Sequence, residues 1–157
     1  MPRSRVDYAP HMEVEGAIVP HSYRIFLSYS RVDKWVLRNY IEPLRLIDGV
    51  DVFYDGDIRP GEPFPERIVS TLLSVDEFLV VLSPSSTHRP WVLVEIGMAI
   101  AKGIPIIPIL HSYTKEEALR SPVGEFLGQR QHIDGPEEFD DYLSTLRARC
   151  SGGGDHT

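Results

Sequence analysis

The chain has 157 residues, 42 % of them hydrophobic, which is one domain's worth with enough apolar material for a core and excludes disorder for most of its length. Its net charge is −7, from 16 Lys and Arg against 23 Asp and Glu with no basic block, which argues against a nucleic-acid or anionic-membrane surface but leaves room for an anionic small ligand held by local donors. The single cysteine, Cys150, makes no internal disulfide, and there is neither a signal-peptide core nor an apolar run of transmembrane length, so the cytoplasm is the expected compartment.

Residues 1–22 hold three prolines and no sustained period, and read as an N-terminal arm. The folded domain is expected over residues 23–150. Arg24-Ile25-Phe26-Leu27-Ser28-Tyr29-Ser30 is an apolar run ending in hydroxyls, the pattern of a buried strand with a polar carboxyl end. Val32, Trp35, Val36 and Tyr40 follow at helical spacing, with Pro43 expected to kink or end that helix and Gly49 to close the segment. Val50–Tyr54 reads as a second strand. Asp55-Gly56-Asp57-Ile58-Arg59-Pro60-Gly61-Glu62-Pro63 is dense in turn residues and is expected to be an exposed loop. Pro65 starts a helix whose inner face carries Ile68, Val69, Leu72 and Leu73. Glu77–Leu82 is a third strand.

From Ser83 the chain turns into an almost wholly apolar helix. Pro90 suits its first position, Ser86 or Thr87 is expected to supply the cap oxygen, and the helix should stop near Gly103. Between Trp91 and Ala101 the only charge is Glu95. A carboxylate in such a run is expensive to bury without a partner. Trp91 and Glu95 are four apart and share a face, which fits either a ligand site or a core tryptophan beside a glutamate in a structural ion pair. Ile104–Leu110 is a fourth strand whose two prolines point to an edge or an irregular ladder. A short helix around Lys115–Leu119 and a fifth strand within Arg130–Ile133 follow. Asp134 is placed to cap a last helix with Phe139, Tyr142, Leu143 and Leu146 inside. Residues 151–157, with Ser151-Gly152-Gly153-Gly154, read as a flexible tail, or as a linker if more chain follows.

Strands alternating with helices predict an α/β fold with a largely parallel sheet and right-handed crossovers. Ligands in such folds bind beyond the carboxyl ends of the strands. Those ends carry Ser28-Tyr29-Ser30, Asp55 with its loop, and Ser83, with Glu95 close behind. A phosphate-binding glycine loop and a GxSxG elbow are missing, and the six histidines show no metal-like spacing, so no metal site is expected. His88 and His111 could approach the site, but read first as solvated loop residues. Asp55 and Asp57 could bind Mg²⁺ as in a phosphoacceptor receiver, but the end of the first strand lacks the acidic residues that chemistry needs.

What remains is one carboxylate, an aromatic plane, hydroxyls and a proline-glycine loop. That set suits cleavage of a glycosidic bond whose leaving group departs unaided. A pyridinium leaves as a neutral molecule, and an ionised Glu stabilises the ribosyl oxocarbenium ion left behind.

Three stretches resemble signature boxes of TIR domains. Ile25–Ser30 is similar to the first, Asp55–Glu62 to the second, and Ser83 through Glu95, with Trp91-x-x-x-Glu95, to the third-strand and helix motif of the NAD-cleaving bacterial members. The resemblance runs from about Arg24 to Arg149. It implies a flavodoxin-like three-layer sandwich with a central five-stranded parallel sheet. It implies NAD⁺ as substrate rather than cofactor, cleaved to nicotinamide and ADP-ribose or a cyclic isomer, in bacterial immune defence. It makes Glu95 the catalytic glutamate. It places Trp91, Tyr29, Ser30, Arg31, Asp55, Asp57, Ile58, Pro60, Gly61, Phe64 and Ser83 around the substrate, Arg31 standing one position later than a basic residue of some members. It also implies activation by self-association through the second-box loop, with other TIR domains as partners. The competing reading is a TIR scaffold that binds its own kind without turnover.

Overall fold

The computed structural model describes residues 21–54, 64–128 and 130–152. Among these, five parallel strands form one sheet: β1 (Tyr23–Ser28), β2 (Val50–Phe53), β3 (Glu77–Leu82), β4 (Ile106–Leu110) and β5 (Ile133–Asp134). Their order is β2-β1-β3-β4-β5, the flavodoxin-like arrangement. A π-helical turn, Leu37–Ile41, runs into α1 (Glu42–Arg45), followed along the chain by α2 (Phe64–Leu72), α3 (Pro90–Lys102), α4 (Lys115–Arg120), α5 (Gly124–Leu127) and α6 (Gly135–Ser151).

Strand period divides the core in two. Ile25 and Leu27 of β1 pack with α1 and α6 on one face, while Phe26 packs with α2 and α3 on the other. β3 is paired on both sides and all six of its residues are buried, as a strand covered on both faces requires.

The helices depart from expectation in four places. Val32 lies in a turn and is 57 % exposed, because the helix begins only at Trp35. That helix continues through Pro43 instead of ending there. Proline has no N–H to bond four residues back, and the π turn directly before it widens the helix where that bond is missing. Leu73 falls in the turn after α2 and is exposed, whereas Ile68 and Leu72 are buried as expected. Neither Ser86 nor Thr87 caps α3; the cap position is Arg89, and no side chain bonds it. At its other end α3 stops at Gly103, whose φ of 68° suits glycine.

β4 lies inside the sheet, not at its edge. Phe78 donates to the Pro105 carbonyl and His111 to that of Leu82, so odd-numbered β4 residues face β3. Pro108 therefore turns its donorless nitrogen the other way. The two-residue β5 joins on that side at Ile109 and Leu110, past Pro108.

At the amino ends of the strands, buried Glu77 accepts hydrogen bonds from Tyr142 of α6 and, at 2.9 Å, from Tyr23 of β1. Burial, then the Glu77 charge and hydrogen bond, pushes the Tyr23 phenol up to about 12 and raises that of Tyr142 further. The folded state thus holds protons that the unfolded chain releases near pH 10. Stability from this clamp is complete below pH 10 and is expected to fall as pH rises towards 12, as urea midpoints across that range would show. In the Tyr142→Phe variant the alkaline decline should be shallower.

Gly124 is fixed by close approach. A Cβ there would sit 2.2 Å from the Leu119 carbonyl oxygen, where α4 turns into α5. Gly124→Ala is expected to cost about 2 kcal/mol by urea unfolding, since backbone must shift to admit the methyl group.

Candidate functional site

In a 2-1-3-4-5 sheet the connections leave β1 and β3 in opposite directions, which opens a crevice beyond their carboxyl ends. Two buried carboxylates stand there, and each takes a hydroxyl hydrogen from another segment. Ser28, the last residue of β1, donates to Oε2 of Glu95 on α3. Ser83, just past β3, donates to Oδ2 of Asp33, in the turn after β1. The exits of the two central strands are laced together in both directions.

Sequence places these groups by simple means. Strand period turns Ser28 to the same side as Phe26, towards α3. Glu95 lies on the second turn of α3, on the stripe with Val92, Ile96 and Ala99 that faces the sheet. It is 2 % exposed. The turn leading into α3 is held by Ser83, whose backbone N–H donates to Ser86 Oγ at 2.9 Å, and by the Thr87 hydroxyl, which donates to the Ser83 carbonyl at 3.3 Å. The two hydroxyls expected to cap the helix build its approach instead.

The residues expected around the substrate fall into three groups. Glu95, Ser30 and Ser83 are buried at the ligand edge, and Trp91 is half-buried one turn before Glu95. Among the described residues the buried Ser30 hydroxyl has no hydrogen-bond partner. Ser83 spends its own hydrogen on Asp33. Tyr29 packs in the other layer, with the α1 and α6 side, where its ring meets Tyr54 at 6.1 Å; the alternation that brings Ser28 to Glu95 takes Tyr29 away from it. Arg31 is exposed in the turn after β1. Asp55, Asp57, Ile58, Pro60 and Gly61 lie outside the described residues, as does the side chain of Phe64. Among the described residues no cluster of His, Cys, Asp and Glu could hold a metal ion.

The hydrogen-bonding roles of Ser28 and Asp33 went unrecognised in the sequence, and a third residue, His111, sits otherwise than expected. It is not a solvated loop residue: its ring stacks on Trp35 at 4.0 Å and shares a 2.6 Å hydrogen bond with the Tyr40 hydroxyl. His88 is exposed, as expected. Burial lowers the His111 basicity below the ordinary 6.5, with the Asp33 charge opposing. The unfolded chain therefore takes up this proton first as pH falls, and the folded state loses stability on going below 6.5. Thermal midpoints between pH 7 and about 5 should fall more steeply in the natural chain than in His111→Gln.

A groove of about 610 Å³ opens at the opposite end of the sheet, lined by Ile104, Ile106, Arg130, His132 and Tyr142 among others. It lies at the amino ends of β4 and β5, away from Glu95 and Asp33.

Comparison with known proteins accords with this architecture. A family model described as TIR domain matches residues 25–147. A 2′ cyclic ADP-D-ribose synthase, BtTIR, of Bacteroides thetaiotaomicron is 31 % identical over 104 residues, which cover 62 % of this chain and 36 % of that protein. The match thus spans about a third of the curated relative. Among solved structures, the TIR domain of the Toll-related receptor TRR-2 of Hydra magnipapillata superposes with a TM-score of 0.60 at 22 % identity, over 82 % of this chain and 94 % of that one. The TIR domains of the activated Roq1 resistosome give 0.57 at 11 %, over 83 % and 98 %. The CMP N-glycosidase BcmB of Clostridium botulinum gives 0.54 at 21 %, over 80 % and 98 %.

Proposed function

The chain belongs to the TIR domain family, and from that premise we propose that it cleaves the nicotinamide–ribose bond of NAD⁺ with Glu95 as the catalytic carboxylate. The observation that carries this reading is the burial of a lone glutamate on α3 against the carboxyl end of β1, at the crevice where α/β sheets of this order bind ligands. The likeness to a synthase of cyclic ADP-ribose supports the same substrate class.

In the proposed reaction the bond from ribose C1′ to the pyridinium nitrogen breaks and its electron pair goes to nitrogen. Nicotinamide leaves neutral, so no acid has to protonate it. The positive charge stays on the ribose ring, and the ionised Glu95 stabilises it in a low-dielectric site. Water, or a hydroxyl of the nucleotide, then attacks C1′ and loses its proton, giving ADP-ribose or a cyclic isomer. In this reading Trp91, one turn before Glu95, and the buried Ser30 hydroxyl help to shape the pocket. In the same reading segment 55–63, which lies outside the described residues, contacts a neighbouring copy to switch the enzyme on in bacterial defence. No helix among the described residues is long and apolar enough to cross a membrane.

The likeness to the TIR domains of an activated resistosome favours a second reading, a docking module that binds other TIR domains without turnover. One experiment separates the two. Concentrated protein is incubated with NAD⁺ and the products are identified by mass. Nicotinamide together with ADP-ribose or its cyclic isomer is expected; undiminished NAD⁺ at every protein concentration would leave the docking module.

A further inference from the structure

The geometry points to Ser28 as the positioning residue of this site, its hydroxyl fixing the aim of the Glu95 carboxylate. This rests on the reading of Glu95 as the acting group, which it deepens.

Strand chemistry does not call for serine at this position. Residues 25–27 of β1 are buried and apolar, and the strand is paired on both sides, where a β-branched apolar residue suits best. Ser28 is itself 2 % exposed, so its hydroxyl needs a partner inside the protein. That partner is Glu95 Oε2, 67 residues along the chain. A hydroxyl donating to a carboxylate stabilises the ionised form, because a hydrogen bond to a charged oxygen is stronger than the one the carbonyl oxygen of the protonated acid would accept. The bond also limits rotation of the carboxyl group, since Oε2 is tied to a strand in the middle of the sheet. Ser28 thus does two things for a reaction that generates positive charge: it keeps the neighbouring carboxylate charged, and it sets the plane in which that charge is presented. It acts through Glu95 and is not itself assigned to substrate.

The test compares the natural chain with Ser28→Ala and Ser28→Thr, the second keeping a hydroxyl and a strand-compatible shape. Nicotinamide release is followed across pH, with the ¹³C titration of the Glu95 carboxyl recorded in parallel and assigned by its absence in Glu95→Gln. Ser28→Ala is expected to lower kcat about thirtyfold, the scale of a lost hydrogen bond to a charged group, with KM changed less than about threefold. The acid limb of its pH profile and the carboxyl titration should both move to higher pH by about one unit. Ser28→Thr should restore both. Tyr29, Arg31, Asp33, Tyr54 and His111, among the described titratable groups at this edge, are common to all three proteins, so a difference between them belongs to residue 28. An active natural chain whose Ser28→Ala variant keeps its kcat, its acid limb and its carboxyl titration overturns the proposal. A Ser28→Ala variant that loses activity and thermal stability together, with the titration unmoved, also overturns it and leaves a packing residue. A natural chain that releases no nicotinamide refutes the enzyme reading instead, a result distinct from both.

Discussion

Glu95→Gln is expected to lower nicotinamide release by at least about a thousandfold while the protein stays folded. The substitution removes the charge and little else. Glutamine has the shape of glutamate, and its carbonyl oxygen still accepts the hydrogen of Ser28. What disappears is the negative charge beside a ribose that turns cationic as its base departs. Groups aimed at developing charge in a dry site contribute about 4 kcal/mol each, which is the thousandfold. Stability should not suffer, because a buried carboxylate carries a desolvation cost that a neutral amide avoids. A thermal midpoint equal to or above that of the natural chain is the expected accompaniment. The pairing of lost turnover with retained stability separates a catalytic charge from a packing role. Turnover unchanged in Glu95→Gln would remove Glu95 from the chemistry.

Phe78→Ala is expected to cost about 4 kcal/mol, read from urea midpoints. Phe78 is fully buried on β3, which is paired to β1 and β4, and its ring stacks on Phe26 with centroids 5.8 Å apart. Truncation removes the transfer free energy of the ring and the stacking contact, and leaves a cavity that two hydrogen-bonded neighbours hold open. Against the total of about 5–15 kcal/mol usual for a domain, such a loss leaves the fold barely stable. A cost below about 1 kcal/mol would mean that Phe78 does not sit at the centre of the sheet.

Where local chemistry decides structure, it was legible. The six apolar-flanked residues of β3 and the Gly103 stop of α3 came directly from pattern and conformational preference. Thr114 and Glu117 form a reciprocal capping box that starts the short helix there, a signal present in the letters T-x-x-E. Other features depend on partners far along the chain. Ser86 and Thr87 have the chemistry of caps, and only their distance from Ser83 shows that they fold the preceding turn instead. The prolines of β4 tell of a missing donor but not on which side of the strand it is missing.

The candidate site divides in the same way. Glu95 stands out because a charge inside an apolar helix demands a reason. Ser28 and Asp33 do not stand out, since a serine ending a strand and an aspartate in a turn are ordinary; their meaning lies in partners 67 and 50 residues away. Tyr29 was grouped with the serines beside it as one polar strand end. The pleat sends it to the opposite layer, and a one-residue step along a strand was enough to separate it from Glu95.

Catalysis by Glu95 requires the substrate's ribose to lie beside it. A crystal of Glu95→Gln grown with NAD⁺ reports this directly. The nicotinamide-side ribose is predicted to lie within hydrogen-bonding reach of residue 95, beyond the carboxyl ends of β1 and β3. A nucleotide bound at the amino ends of the strands, or with that ribose turned away from residue 95, would contradict it.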